Sequence, residues 1–219
     1  YGIIYNNAIM EKYFALDGAV VKSMDEINSY DKLKEVVEDM TAKKKDLGID
    51  GVFASTSLKP GEDWRWQTHL ANLPIYYEYK DNKVSDMDKI EFKYAENYKN
   101  ILDLYMDNSV SEKGLLGSVD VATSMAEFAL GQCAMVQNGN WAWSQISEVD
   151  GNTVKAEDIK FMPNYFGEDD ENEGLCTGTE NFWCINSQAS KEDIQATKDF
   201  LTWLTTDSEG KAYMYKSTD

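Results

Sequence analysis

The chain has 219 residues, 42% of them hydrophobic, and carries 39 acidic against 21 basic side chains for a net charge of −18. A field of that sign repels phosphate backbones and anionic membrane surfaces, which excludes nucleic acid as a partner. No apolar run approaches the ~20 residues that span a bilayer. The three cysteines form neither a CxxC pair nor a Cys/His cluster, so neither a zinc site nor any other metal or cofactor is expected. Cys133 reads as a small core residue, while Cys176 and Cys184, eight apart, could pair in an oxidising compartment.

Residues 1–5 read as a buried strand and 7–15 as a short helix. Over 30–47, Leu33, Val36, Val37, Met40 and Leu47 share one face, which predicts a long amphipathic helix stopped by Gly48. Residues 50–55 form a short buried strand, and Lys59-Pro60-Gly61 a turn. The stretch 62–79 holds Trp64, Trp66, Tyr76, Tyr77 and Tyr79 and reads as mostly helical, broken or bent at Pro74. A strand at 90–92 and a helix over 94–107 follow. Ser118 reads as the N-cap of a helix that turns Val121, Met125, Phe128 and Ala129 inward. Residues 133–137 form a strand, Gly139 opens a helix through Trp141 and Trp143, and 160–163 form another strand. The acidic run 167–174 fails the EF-hand spacing and reads as a solvated turn. A strand at 182–185 precedes a helix over 190–206 with Ile194, Ala196, Thr197, Phe200, Leu201 and Leu204 toward the core. Short strands alternating with longer helices predict an α/β fold with a partly parallel sheet.

Catalytic motifs are scarce. The single histidine, His69, has no nucleophile motif beside it, which favours a structural role, and GxSxG, P-loop and GxGxxG patterns are missing. The chain therefore reads as a binding protein and not an enzyme. The aromatic-flanked carboxylates Glu62, Asp63 and Glu180 suit either the acid pair of a glycoside hydrolase or acceptors for sugar hydroxyls. Four of the six tryptophans form two pairs of equal spacing, Trp64/Trp66 and Trp141/Trp143. Helical residues two apart point about 200° apart, so one member of each pair should face the core and the other a cleft. An indole covers the C–H face of a pyranose while carboxylates and amides meet its hydroxyl rim. All four could equally be core residues.

The stretch 128–146 is more specific. A helix ending Phe128-x-x-Gly131, a strand with Ala134-Met135, and Asn138-Gly139-x-Trp141 opening a helix together resemble the central signature of the family 1, maltose-binding-protein-like extracellular solute-binding proteins of ABC importers. Asn140 stands where that family often has proline. Weaker matches follow in chain order: Gly2 to Asn6, with Tyr5, resembles the strand entering the second lobe, and Glu62 to Trp66 falls at a carboxylate–aromatic sugar contact. Gly178-Thr179-Glu180 resembles the hinge returning to the first lobe. The resemblance implies a type II periplasmic-binding-protein-like fold, with 1–177 as the second lobe and 178–219 as the crossing strand and returning helices, and the first lobe incomplete. It implies a carbohydrate held between the lobes by Trp141 and Trp64, with Trp66, Tyr5, Glu62, Asp63 and Glu180 as further contacts. Gly178 and Thr179 would form the hinge. Importer membrane subunits would recognise the closed form outside the cell, where the complete protein would be tethered to the membrane as a lipoprotein. The uncovered apolar face of the incomplete lobe, near 182–204, would favour dimers. Two alternatives stay open: a glycoside hydrolase or stand-alone carbohydrate-recognition module, and the same fold binding a polyamine.

Overall fold

Gly2–Asn6 forms β1, buried along its whole length, at the centre of a three-stranded sheet. β2 (Met135–Asn138) pairs on one side, with Gly2 opposite Asn138. β3 (Ile159–Met162) pairs on the other, with Ile3 opposite Met162. Both pairings are antiparallel, which corrects the expectation of a partly parallel sheet. The parallel component is reduced to isolated bridges from Phe53 to Met135 and to Ser109. The expected strand at 50–55 is thus an extended segment hydrogen-bonded beside β2, where Ala54 N donates to Met135 O at 2.8 Å. Alternation along the strands feeds two cores. Ile3, Tyr5 and Met135 enter the larger one, and Ile4 and Val136 the smaller.

This computed structural model describes residues 1–172, 174–178 and 182–217. The chain divides into two units, Tyr1–Cys176 and Thr177–Asp219. In the first, Asn6 Oδ1 accepts from Ala8 N and so caps α1 (Asn7–Phe14) directly after β1. The expected helix over 30–47 is two: α2 (Tyr30–Ala42), capped by Ser29, and α3 (Lys44–Leu47), separated by a non-helical Lys43. The apolar face survives this break, with Leu33, Val36, Val37, Met40 and Leu47 all buried, and Gly48 at φ 74° ends it in the left-handed region.

Trp66–Leu70 is a π-helical turn, followed by α4 (Asn72–Asn82). Pro74 lies in the first turn of α4, where its missing N–H costs nothing, so it starts a helix rather than bending one. α5 (Ala95–Asp107) buries Ile101, Leu104 and Tyr105. The segment 90–92 is coil rather than strand. α6 (Val121–Ala129) is capped by Asp120, whose Oδ1 accepts from Thr123 N at 3.0 Å. Ser118 instead closes a 3₁₀ turn, its hydroxyl donating to Leu115 O. α7 (Ala142–Ser147) follows β2 through Gly139-Asn140-Trp141. The acidic turn is tied down by Asp170, whose carboxylate accepts from the backbone N–H of Tyr30, Phe166 and Gly167.

In the second unit, Ser190 caps α8 (Lys191–Thr206), and α9 (Ser208–Ser217) packs against it with Trp203 between Phe200 and Tyr213. The expected inward face of α8 is not buried: Ile194, Leu201 and Leu204 are half-covered, and Ala196, Thr197 and Phe200 are exposed. A single neighbouring helix covers only one side of such a stripe. The expected strand at 182–185 is coil, with Phe182 and Trp183 exposed, and Cys184 is an exposed thiol rather than half of a disulfide. Among the described residues no helix is long and apolar enough to cross a membrane.

Candidate functional site

The site gathers where β1 begins and β2 ends. The antiparallel register that sets Gly2 against Asn138 brings Tyr1 level with the turn into α7, and the π-turn reaches the same place. Four rings meet there. His69 stacks on Tyr1 with centroids 3.8 Å apart and planes 10° apart. It meets Trp64 edge-on at 5.2 Å and Trp141 at 5.5 Å. Trp64 and Trp141 touch each other at 6.1 Å, inclined by 35°.

The backbone under Trp141 explains its pose. The ring rests against Gly139, where a Cβ would lie 2.6 Å from Cζ2 and closer still to Cη2 and Cζ3. Only glycine lets an indole lie flat on the chain here. Asn138 organises the support below. Its Oδ1 accepts from Gly139 N and from Arg65 Nε, both at 2.9 Å, and its amide reaches Gln145 Oε1 at 3.4 Å. Arg65 is buried, and its guanidinium carbon sits 4.3 Å from the Trp64 ring centroid, a cation–π contact that covers one face of that indole. Burial pulls the Arg65 pKa down, and the charge of Glu62 opposes that shift.

His69 is 2% exposed, and its Nδ1 lies 3.0 Å from Gln137 Nε2. With the amide donating, the ring proton sits on Nε2. Nε2 and Gln137 Oε1 are buried and have no hydrogen-bond partner among the described residues. Burial first, then the positive charges of the chain's amino group and Arg65, push the His69 pKa down to about 4 against a weaker opposing hydrogen bond from Gln137. At neutral pH the ring is therefore an uncharged aromatic. Separately, α6 and α7 enclose a groove of about 250 Å³ lined by Val121, Ala122, Met125, Gln145, Glu148 and Val149.

The candidates read from sequence separate into three groups. Trp64, at 38% exposure, and the half-buried Trp141 come together as one surface. Trp66 and Tyr5 do not join them: both are core residues, Trp66 edge-on to Tyr105 at 5.4 Å and Tyr5 at 8% exposure. Glu62 and Asp63 flank the surface but are engaged locally. Glu62 Oε2 accepts from Val121 N at 2.6 Å at the start of α6, and Asp63 accepts from Gln67 at 2.6 Å. Gly178 lies in open coil, while Thr179 and Glu180 fall outside the described residues. The alternation expected within each tryptophan pair holds for Trp64 and Trp66. It fails for Trp141 and Trp143, because Ala142 and Ile146 take the core positions of α7 and Trp143 is exposed. Sequence reasoning gave no site role to Tyr1, Arg65 or His69. A polar Gln137-Asn138 pair closing an otherwise apolar strand was the available signal that a buried polar network stood there.

The sequence model of a family described as bacterial extracellular solute-binding protein matches residues 1–219. No curated protein matches the chain significantly in sequence. Among solved structures, one titled "Chitin oligosaccharide binding protein" is similar at 19% identity and a TM-score of 0.49, over 75% of this chain and 38% of its own length. The chain thus spans about two fifths of the structure it matches.

Proposed function

The chain belongs to the bacterial extracellular solute-binding protein family, and on that footing we propose that it captures a neutral carbohydrate on the Trp64–Trp141 surface for delivery to an ABC importer. The observation that carries this reading is the pair of partly exposed indoles in mutual contact at 6.1 Å. A sugar held between two rings needs about 7–8 Å, two carbon contact distances of ~3.5–4.0 Å. The rings are too close for that, so a pyranose would lie across them, its C–H face down. Covering ~100 Å² at ~25 cal/mol per Å² contributes about 2.5 kcal/mol before ordering costs. The groove between α6 and α7, with Gln145 and Glu148 on its wall, offers hydrogen-bonding groups to a hydroxyl rim.

The rival ligands are less well served. A polyamine would place a second cation over an indole whose other face is already covered by the buried Arg65 guanidinium. A hydrolase needs two carboxylates placed across the scissile bond, whereas Glu62 and Asp63 are adjacent and Glu62 is occupied at the start of α6. Glu180 as a polar contact, Gly178 and Thr179 as a hinge that closes on ligand, and tethering of the whole protein to the cell membrane rest on family resemblance. The test is a thermal-shift panel of neutral oligosaccharides, spermidine and a chromogenic glycoside. Stabilisation by a sugar without turnover is expected, and Trp141→Ala should then weaken that sugar by about 1–3 kcal/mol in titration calorimetry. Unchanged affinity would reject the role of Trp141, turnover would favour the hydrolase, and stabilisation by spermidine alone would favour the polyamine.

A further inference from the structure

We propose that His69 is a positioning residue for the ligand surface: it fixes the angle between Trp64 and Trp141, and the π-turn Trp66–Leu70 is the device that brings it there. The proposal builds on the reading of the two indoles as the ligand surface. On an ordinary helix, five residues advance about 500°, so positions 64 and 69 would point roughly 140° apart. A π-turn closes its hydrogen bonds from i to i+5 and spreads more residues over each turn, which swings position 69 back toward position 64. The outcome is visible in the rings: His69 meets Trp64 edge-on at 5.2 Å, while Trp66, two residues from Trp64, is sent into the core.

His69 contacts each of the other three rings of the cluster, and its Nδ1 is held by Gln137 on the buried strand β2. It therefore couples both indoles to the sheet. Buried polar atoms without partners, His69 Nε2 and Gln137 Oε1, cost stability. A histidine chosen only to fill space would be outperformed here by an apolar ring, so its retention fits a role in geometry. π-turns are uncommon and concentrate at functional sites for the same reason.

The test separates ring geometry from sugar binding. Two indoles in contact give an exciton couplet in circular dichroism whose sign and size follow their mutual angle, with no ligand needed. Three proteins are compared: wild type, His69→Ala and His69→Phe/Gln137→Leu. The last keeps an aromatic ring at 69 and replaces both hydrogen-bonding partners by apolar groups, a change that can be nearly neutral for stability. We expect His69→Ala and the double variant to lose the couplet while keeping far-ultraviolet helix content. They should also weaken the best sugar of the panel about tenfold. In the double variant the loss is traceable to the missing hydrogen bond to β2, since a ring still stands at 69. A couplet unchanged in His69→Ala overturns the proposal, and so does a folded double variant that keeps the couplet. Should His69→Ala fail to fold, the double variant decides the matter. If the couplet behaves as expected but no sugar binds to any of the three, the positioning role stands and the carbohydrate reading fails.

Discussion

Gly139→Ala isolates the proposed ligand surface from the rest of the fold. The backbone at 139 has no left-handed requirement, so alanine is tolerated conformationally. The new methyl nevertheless enters the six-membered ring of Trp141, with Cζ2 at 2.6 Å and two further ring carbons nearer. Restoring ordinary contact at ~3.5 Å moves the indole by about 1 Å. A gap of 0.5–1 Å forfeits roughly a quarter to a half of the dispersion well. Applied to the ~2.5 kcal/mol of a covered pyranose face, this gives a loss of about 0.6–1.3 kcal/mol, or about three- to ninefold in Kd. Trp141 is only half-buried, so the unfolding free energy should change by less than ~1 kcal/mol. Titration calorimetry with the sugar selected by the thermal-shift panel, beside urea denaturation, measures both quantities. A Gly139→Ala protein with wild-type affinity would show that the pose of Trp141 against the backbone does not matter to binding. A large loss of stability would show that Gly139 serves the fold instead.

Three further outcomes follow from side chains around the site. His69 has a native pKa near 4 and an unfolded value of ~6.5, so the unfolded chain takes up a proton that the native one refuses as pH falls between those values. Its contribution is present above pH ~6.5 and lost on acidification. Stability should drop by about 2 kcal/mol from pH 7 to pH 5 in urea titrations, and His69→Phe/Gln137→Leu should abolish that share. The groups facing the ring are Tyr1, Trp64, Trp141, Gln137 and the charges of Arg65 and the amino terminus, none of them a carboxylate that would oppose the trend. Glu62→Ala removes the carboxylate that accepts from Val121 N and should cost about 1 kcal/mol of stability with sugar affinity unchanged. A strong loss of affinity would restore Glu62 as a ligand contact. In the second unit, Phe182, Trp183, Phe200, Tyr213 and Tyr215 are all more than half exposed. Concentration-dependent association in light scattering is therefore expected, and a monomer at all concentrations would count against it.

How much of this was legible in the sequence depends on which period carried the information. The 3.6-residue period of Leu33, Val36, Val37 and Met40 located α2, and the unbroken apolar run Ile3-Ile4-Tyr5 located β1 as a buried strand, because each pattern is written in adjacent residues. Trp141 was legible because Asn138, Gly139 and Trp141 form a local unit in which amide, glycine and indole support one another. Strand direction was not. Parallel and antiparallel pairing differ in which distant segments meet, and the parallel neighbour of β2 shrank to single bridges at Phe53. The inward face expected of α8 also failed, since a helical stripe announces that it needs a partner but not that the partner is present.

The least legible feature is also the one on which the site turns. Periodicity arguments assume 100° per residue, and on that assumption His69 belongs to a different face from Trp64 and has no reason to meet it. The π-turn alters the phase between them. The buried network of Arg65, Asn138 and Gln137 then has to be polar, because it anchors rings arriving from two separate segments of chain. An apolar core would pack those rings without fixing their angle, since hydrophobic contact is non-directional. Hydrogen bonds between the Asn138 and Arg65 side chains, and between the Gln137 amide and His69, supply the missing direction. The polar end of β2 is therefore the part of the fold whose substitution should disturb the proposed ligand surface most, and Asn138→Leu should lower sugar affinity more than any apolar substitution of comparable size within β2. A Val136→Ala protein of equal stability that binds more weakly than Asn138→Leu would remove the case for directional support.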